Sequence, residues 1–164
     1  MNFYIIPSPI GNLDDITIRA INVIKKVDFL VAENKVTTLK LLNKLKLGRK
    51  KIFTYSDHST VADRNNIISQ FDKGISGGLI SDAGTPLISD PGYKLVSDLI
   101  LNNVNIISLP GPTALITALA GSGLPTDKFQ FHGFLPKKNK ELVTTLNECS
   151  NFSGTSIFFE TPHS

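Results

Sequence analysis

An α/β fold built on a mostly parallel sheet is what this chain predicts, and three features predict it. Short β-rich apolar runs alternate with longer stretches whose apolar residues recur at helical spacing. Loops rich in glycine and proline directly follow three of the short runs. The apolar fraction of 41% and charged fraction of 19% are those of a chain that buries a core, so disorder is excluded as the default.

The elements follow in order. Residues 3–6 form a β-rich run that stops at Pro7. Residues 16–24 carry Ile16, Ala20, Val23 and Ile24 at helical spacing, and Val27 continues the stripe. A buried strand is expected at 29–32. Residues 38–47 read as a helix with Leu39, Leu42 and Leu45 on its apolar side. A third strand is expected at 51–55 and a helix at 61–71, where Ile67, Ile68 and Phe71 align. A fourth strand at 78–81 opens into the longest Gly/Pro-rich loop. A helix at 93–101, a fifth strand at 105–109 and a helix at 113–120 continue the rhythm of βαβ units.

Two glycines and a proline within 121–125 mark a linker. Beyond it come a strand at 128–134, a helix at 141–147 and a strand at 155–159. One βαβ unit is too little for an independent core. The expected division is an N-terminal α/β domain over 1–121 and the incomplete beginning of a second α/β domain over 122–164.

Several function classes are excluded. No run of about 18 apolar residues offers a membrane span. The opening Met1-Asn2-Phe3-Tyr4-Ile5-Ile6-Pro7 lacks a basic n-region and reads as a strand, not a signal peptide. The single Cys149 rules out an internal disulfide framework and a cysteine-based zinc site. His58, His132 and His163 lack metal-cluster spacing. No GxxxxGK[ST], GxGxxG or GxSxG motif follows a strand. The net charge of +3 leans mildly toward an anionic partner, with RNA one candidate. The basic residues come in short clusters, Lys44 to Lys51 and Lys137 to Lys140.

The densest signal is the loop over 81–92, Ser81-Asp82-Ala83-Gly84-Thr85-Pro86 and onward to Gly92. Gly84 and Gly92 admit backbone shapes closed to other residues and let a ligand approach. Asp82 and Asp90 offer acceptors to ligand hydroxyl or amino groups. The loop over 7–13 lies between the first strand and first helix, where Asp14 or Asp15 is expected to cap the helix. The third loop, Leu109-Pro110-Gly111-Pro112-Thr113-Ala114, opens a helix. Each loop alone is equally a structural crossover. Together they line the side of a parallel sheet where ligands bind.

These segments also carry a resemblance. The loop over 4–13 with Asp15-Ile16-Thr17, the stretch 79–92, and 109–114 with 123–129 are similar, in order, to the tetrapyrrole methylase superfamily, in its branch acting on ribosomal RNA. Gly133-Phe134-Leu135-Pro136 and Phe158-Phe159-Glu160-Thr161-Pro162-His163 continue the similarity. The resemblance implies a tetrapyrrole methylase-like α/β fold, a homodimer, and S-adenosyl-L-methionine held between two domains. It implies 2'-O-methylation of a cytidine ribose in small-subunit (16S) ribosomal RNA, with the 30S subunit as partner, in the cytoplasm.

By resemblance, Pro9 and Ile10 line the cofactor, and Asp82, Ala83, Gly84 and Thr85 form its central loop. Thr113 and Ala114 touch it from the third loop, and Phe159 and Glu160 sit where the second domain closes. Glu33 is the candidate catalytic residue. No metal is implied, because the sulfonium carries its own leaving group. The resemblance also expects an acidic-Thr-Arg turn after Glu33, where this chain has Asn34-Lys35-Val36. It further expects a longer chain, with this one truncated at its C-terminus. Two other readings stand beside it: a methylase acting on a small porphyrin-like molecule, and a non-catalytic remnant that binds cofactor or a partner.

Overall fold

Alternation along the first strand sets the layering of the computed structural model, which describes residues 1–161; Pro162, His163 and Ser164 lie outside the described residues. In β1 (Asn2–Ile6), Phe3 and Ile5 face one layer while Tyr4 and Ile6 face the other. β2 (Phe29–Ala32) repeats the pattern, with Phe29 and Val31 opposite Leu30 and Ala32. With β3 (Lys51–Thr54), β4 (Gly77–Ile80) and β5 (Asn105–Ser108) they form one sheet in the order β3-β2-β4-β1-β5. Every pairing in it is parallel, as the sequence predicts.

Helices cover both faces. α1 (Ile18–Lys26) and α2 (Lys35–Lys44) pack on the Tyr4 and Ile6 face, and α3 (Val61–Ile68) and α4 (Tyr93–Leu101) on the Phe3 and Ile5 face. The chain moves outward from β1 to β3 and then back toward β5. Right-handed crossovers running in opposite directions must put their helices on opposite faces. Neighbouring β1 and β4 therefore send their following helices apart, which opens a crevice at their carboxyl ends. β4 starts with two glycines because its neighbours need the room. A Cβ on Gly77 would lie 2.3 Å from the Phe29 ring, and one on Gly78 would lie 2.6 Å from Ile6 Cδ1.

Caps move several boundaries from those expected. α1 begins at Ile18, not Ile16, because Thr17 Oγ1 accepts from the Ala20 N–H. Asp14 and Asp15 do not cap it: they sit in a 3-10 turn over Leu13–Asp15, itself capped by Asn12. α2 starts at Lys35, ahead of the expected Thr38, since Asn34 caps it. It stops before Leu45 and Leu47 because Lys46 and Gly48 take positive φ angles of 54° and 75°. α3 opens on a capping box between Thr60 and Asp63 and ends at Ile68; Phe71 follows in a separate 3-10 turn.

A second compact unit begins at Thr113, earlier than the expected boundary after Gly121. α5 (Ala114–Gly121) goes with it, because it packs on β7 (Thr155–Phe159). β6 (Phe129–Phe134) pairs in parallel with β7, with an irregularity between Phe131 and Phe134, and α6 (Asn139–Ser150) connects them. The buried Thr155 fastens the start of β7: its Oγ1 donates to the Pro125 carbonyl at 2.6 Å. His132 is exposed and stacks on Phe158, and its Nε2 lies 3.5 Å from Cys149 Sγ. Among the described residues no helix is long and apolar enough to cross a membrane.

Candidate functional site

The three Gly/Pro-rich loops meet at the carboxyl ends of β1, β4 and β5, and Ser8 is the residue that joins two of them. It is 1% exposed. Its N–H donates to the Gly84 carbonyl at 2.9 Å, and the Gly84 N–H donates back to the Ser8 carbonyl at 3.0 Å. Ser8 Oγ donates to the Ser81 carbonyl at 2.9 Å, and Ser81 Oγ to the Gly84 carbonyl at 2.8 Å. Thr85 Oγ1 donates to the Pro112 carbonyl at 3.0 Å, bringing in the third loop. Gly111 packs so closely on Pro7 that a Cβ there would lie 2.7 Å from its ring.

The central loop is held in a costly shape. Leu87 and Ser89 adopt φ angles of 76° and 59°, in the left-handed region disfavoured for residues with a Cβ. Backbone strain of this kind persists where surrounding contacts over-determine the conformation. The stitching through Ser8, Ser81 and Thr85 fixes the first half of the loop, and Leu87 packs against Gly92, where a Cβ would lie 2.9 Å from Leu87 Cδ2.

Beside this layer lies a cavity of about 450 Å³, in the size range of small-molecule sites. Pro9, Ile10, Gly11 and Leu13 form one wall, and Ser81, Asp82 and Ala83 close one end. The other wall is a stripe of α2, with Thr37, Lys40, Leu41 and Lys44 at the helical spacing that aligns side chains on one face. Gly84 lies just behind Ile10: with φ of 77°, its missing Cβ would stand 3.2 Å from Ile10 Cγ2. Loss of solvent raises the Asp82 pKa, and a hydrogen bond with Thr37 pulls it back down. Four residues assigned to the cofactor by resemblance, Pro9, Ile10, Asp82 and Ala83, thus line one cavity, and Gly84 and Thr85 brace it from behind.

Ser81 also lines a small recess on its far side, with Glu33, Tyr55, Leu79, Pro86 and Asp90. Glu33 follows the last residue of β2, and β2 is the neighbour of β4, so strand order alone brings Glu33 to the central loop. The Asp90 pKa is pushed up to about 6 by burial, and by the negative charges of Glu33 and Asp82. Glu33 also borders an open recess of about 280 Å³ with Thr54, Tyr55, Ser56, His58 and Asp63. His58 is exposed there, as expected of a loop histidine.

Thr113, Ala114, Phe159 and Glu160 belong to the second unit. Thr113 precedes α5, and its carbonyl accepts from Thr117 Oγ1 at 2.8 Å. The Phe159 ring contacts Phe131 and Phe134 at centroid distances of 4.7 and 5.8 Å. Glu160 Oε1 accepts from the Thr161 N–H. Within that unit α5 packs on β7, the strand that ends at Phe159. Asn34, where the resemblance expects an acidic residue, accepts from Val36 N–H and Thr37 N–H and so caps α2. Among the described residues no group of three or more His, Cys, Asp or Glu side chains is arranged to hold a metal ion.

Comparison with known proteins follows the same lines. A family model described as Tetrapyrrole (Corrin/Porphyrin) Methylases matches residues 2–164. The chain is 47% identical over 160 residues to a Vibrio cholerae serotype O1 protein named Ribosomal RNA small subunit methyltransferase I, covering 98% of this chain and 55% of that protein. A protein of the same name from Hydrogenobaculum sp. is 44% identical over 162 residues, covering 99% of this chain and 70% of the other. Among solved structures, diphthine synthase superposes with a TM-score of 0.76 at 11% identity, over 99% of this chain and 66% of that one. That likeness concerns the fold. The chain spans about half the length of most of the curated relatives it matches.

Proposed function

The chain belongs to the tetrapyrrole (corrin/porphyrin) methylase family, and from that premise we propose that it works in methyl transfer from S-adenosyl-L-methionine to the 2'-hydroxyl of a cytidine ribose in small-subunit ribosomal RNA. The observation that carries this reading is the 450 Å³ cavity braced by the Ser8–Gly84 pairing. Its residues fit the cofactor. Pro9, Ile10 and Leu13 give an apolar wall for a nucleoside, and Asp82 offers an acceptor beside it. The close packing of Gly84 on Ile10 holds that wall in place. Thr113, Ala114, Phe159 and Glu160, in the second unit, are assigned to the cofactor on the strength of the resemblance alone.

When bound, S-adenosyl-L-methionine supplies an electrophilic methyl group on a sulfur that already carries its leaving group. The chain's own task is to orient the ribose hydroxyl in line and to take its proton. We assign the proton to a carboxylate of the Glu33 and Asp90 pair, which shares Ser81 with the cavity wall. An acid that titrates near 6 is ionised at neutral pH yet basic enough to accept a proton. A homodimer acting in the cytoplasm on the 30S subunit completes the reading, on the strength of the resemblance.

The test is calorimetric titration of this chain with S-adenosylhomocysteine, followed by methyl-transfer assay on small ribosomal subunits. Binding by the natural chain and its loss in Gly84→Val supports the reading. Binding that is equally strong in Gly84→Val would show that the cofactor sits elsewhere.

A further inference from the structure

Charge on the first unit is segregated. The whole chain has a net charge of +3, yet the stretch 34–56 carries six lysines and Arg49 and not one carboxylate. The structure sorts these cations by what they do. Lys50 Nζ donates to the carbonyls of Lys25 and Val27, at 2.7 Å each, and so closes the end of α1. Lys51 donates to Gln70 Oε1 at 3.2 Å and lies 4.5 Å from the centre of the Phe53 ring. Both are occupied in holding the fold.

The others are not. Lys35, Lys40, Lys44, Lys46 and Arg49 are exposed. None pairs with a carboxylate among the described residues, where the ion pairs are Arg64–Asp98 and Lys138–Glu141. The bond from Lys50 brings the end of α1, with its exposed Lys25 and Lys26, against the loop that carries Lys46 and Arg49. Lys40 and Lys44 stand on the α2 stripe that walls the cavity. The basic face thus begins at the cavity and runs back along α2, without interruption by an acidic side chain in that stretch.

The geometry points to this face as the seat of the RNA phosphodiester backbone, with Lys40 and Lys44 nearest the reacting ribose and Lys46 and Arg49 further along the strand. The inference rests on the RNA-methylating reading and deepens it. A row of unpaired cations gains affinity for a polyanion by releasing its counterions, with no dependence on base sequence. A membrane surface is the poorer partner, because a membrane-seated helix needs large apolar side chains beside its lysines. The exposed large apolar residue of this stretch is Val36 alone.

The test uses the full chain and a labelled single-stranded fragment of small-subunit ribosomal RNA, with affinity read by fluorescence anisotropy from about 50 to 200 mM salt. The natural chain should bind with a steep salt dependence. Lys46→Ala/Arg49→Ala should bind roughly tenfold more weakly, and flatten the slope of log affinity against log salt by about 1.4. Its S-adenosylhomocysteine affinity should not change, since neither residue lines the cavity. Lys40→Ala/Lys44→Ala should weaken RNA binding at least as much, while Lys137→Ala/Lys140→Ala should not flatten the slope. RNA binding by the natural chain that neither first-unit double variant weakens would overturn the inference and leave the RNA reading standing. No RNA binding by a natural chain that binds S-adenosylhomocysteine would overturn both.

Discussion

Ser8 and Gly84, far apart along the chain, exchange both of their backbone hydrogen bonds, at 2.9 and 3.0 Å. This isolated antiparallel pair ties the loop after β1 to the loop after β4, whose following helices leave on opposite faces of the sheet. The crevice between two diverging connections is thereby closed at its base.

Gly84→Val tests the pairing. Valine at a φ of 77° costs about 1–2 kcal/mol, and its Cβ would press on Ile10 Cγ2 at 3.2 Å. The sheet does not depend on this residue, so the far-ultraviolet circular dichroism should stay native while the melting temperature falls by several degrees. Affinity for S-adenosylhomocysteine should drop at least about tenfold, because displacing Ile10 moves the cavity wall. Wild-type affinity together with a native melt would separate Ile10 from the site.

Asp90 predicts a pH dependence of stability. Its folded pKa of about 6 lies above the ordinary value of 3.8, so the folded chain holds a proton that the unfolded chain releases. The associated stability is present below about pH 4 and is lost as pH rises through 6. Partial solvent exposure reduces the effect to the order of 1 kcal/mol. Asp63 runs the other way, because its bonds to Thr60 lower its pKa, but it is common to the natural chain and to Asp90→Asn. Urea unfolding at pH 4 and pH 7 should therefore show Asp90→Asn gaining on the natural chain as pH rises. Equal gains at both pH values would mean that Asp90 is not destabilised by ionisation.

Glu33 acts on the same proton. Its charge is the largest cause after burial of the raised Asp90 pKa, so Glu33→Gln should lower the Asp90 titration, read by carboxyl-carbon NMR. If the pair accepts the ribose proton, methyl transfer in Glu33→Gln should fall by about 100-fold or more. An unmoved Asp90 titration would break the electrostatic link between the two residues.

The uneven legibility of these residues in the sequence has a physical pattern. Residues 29–32, 93–101 and 155–159 form the expected elements because apolar runs and periodicity mark buried segments directly. The starts of α1 and α2 escape that signal, since Thr17 and Asn34 fix them by hydrogen bonds that periodicity does not contain. The loops stand out because their glycines and prolines are needed for close backbone approach, as at Gly84 and Gly111. Glu33 and Asp90 meet only because β2 lies beside β4, a consequence of strand order. The α2 wall was equally hidden: Lys40 and Lys44 at a spacing of four read as an ordinary solvated face until the loop over 9–13 is placed across from them.

The Asn34-Lys35-Val36 turn yields a two-part prediction. Asn34 Oδ1 accepts from Val36 N–H at 3.0 Å and Thr37 N–H at 3.2 Å, so Asn34→Ala should cost about 1 kcal/mol by loss of the cap. Asn34→Asp preserves the acceptor and adds a charge that the helix N-terminus favours by about 0.3–1 kcal/mol. The neighbouring Glu33 carries the same sign and holds the gain to the low end of that range. Lys35 and Val36 are exposed, so Lys35→Thr and Val36→Arg change the surface and not the core. The triple variant Asn34→Asp/Lys35→Thr/Val36→Arg should melt within a few degrees of the natural chain. Val36→Arg alone adds a cation and a bidentate phosphate donor next to the cavity, so its RNA affinity should rise several-fold at low salt, whereas in the triple variant the loss of Lys35 and the new charge of Asn34→Asp offset that gain. Unchanged RNA affinity in Val36→Arg with an unchanged melt would place the turn away from the RNA. A large fall in melting temperature would show instead that Asn34 does more than cap a helix.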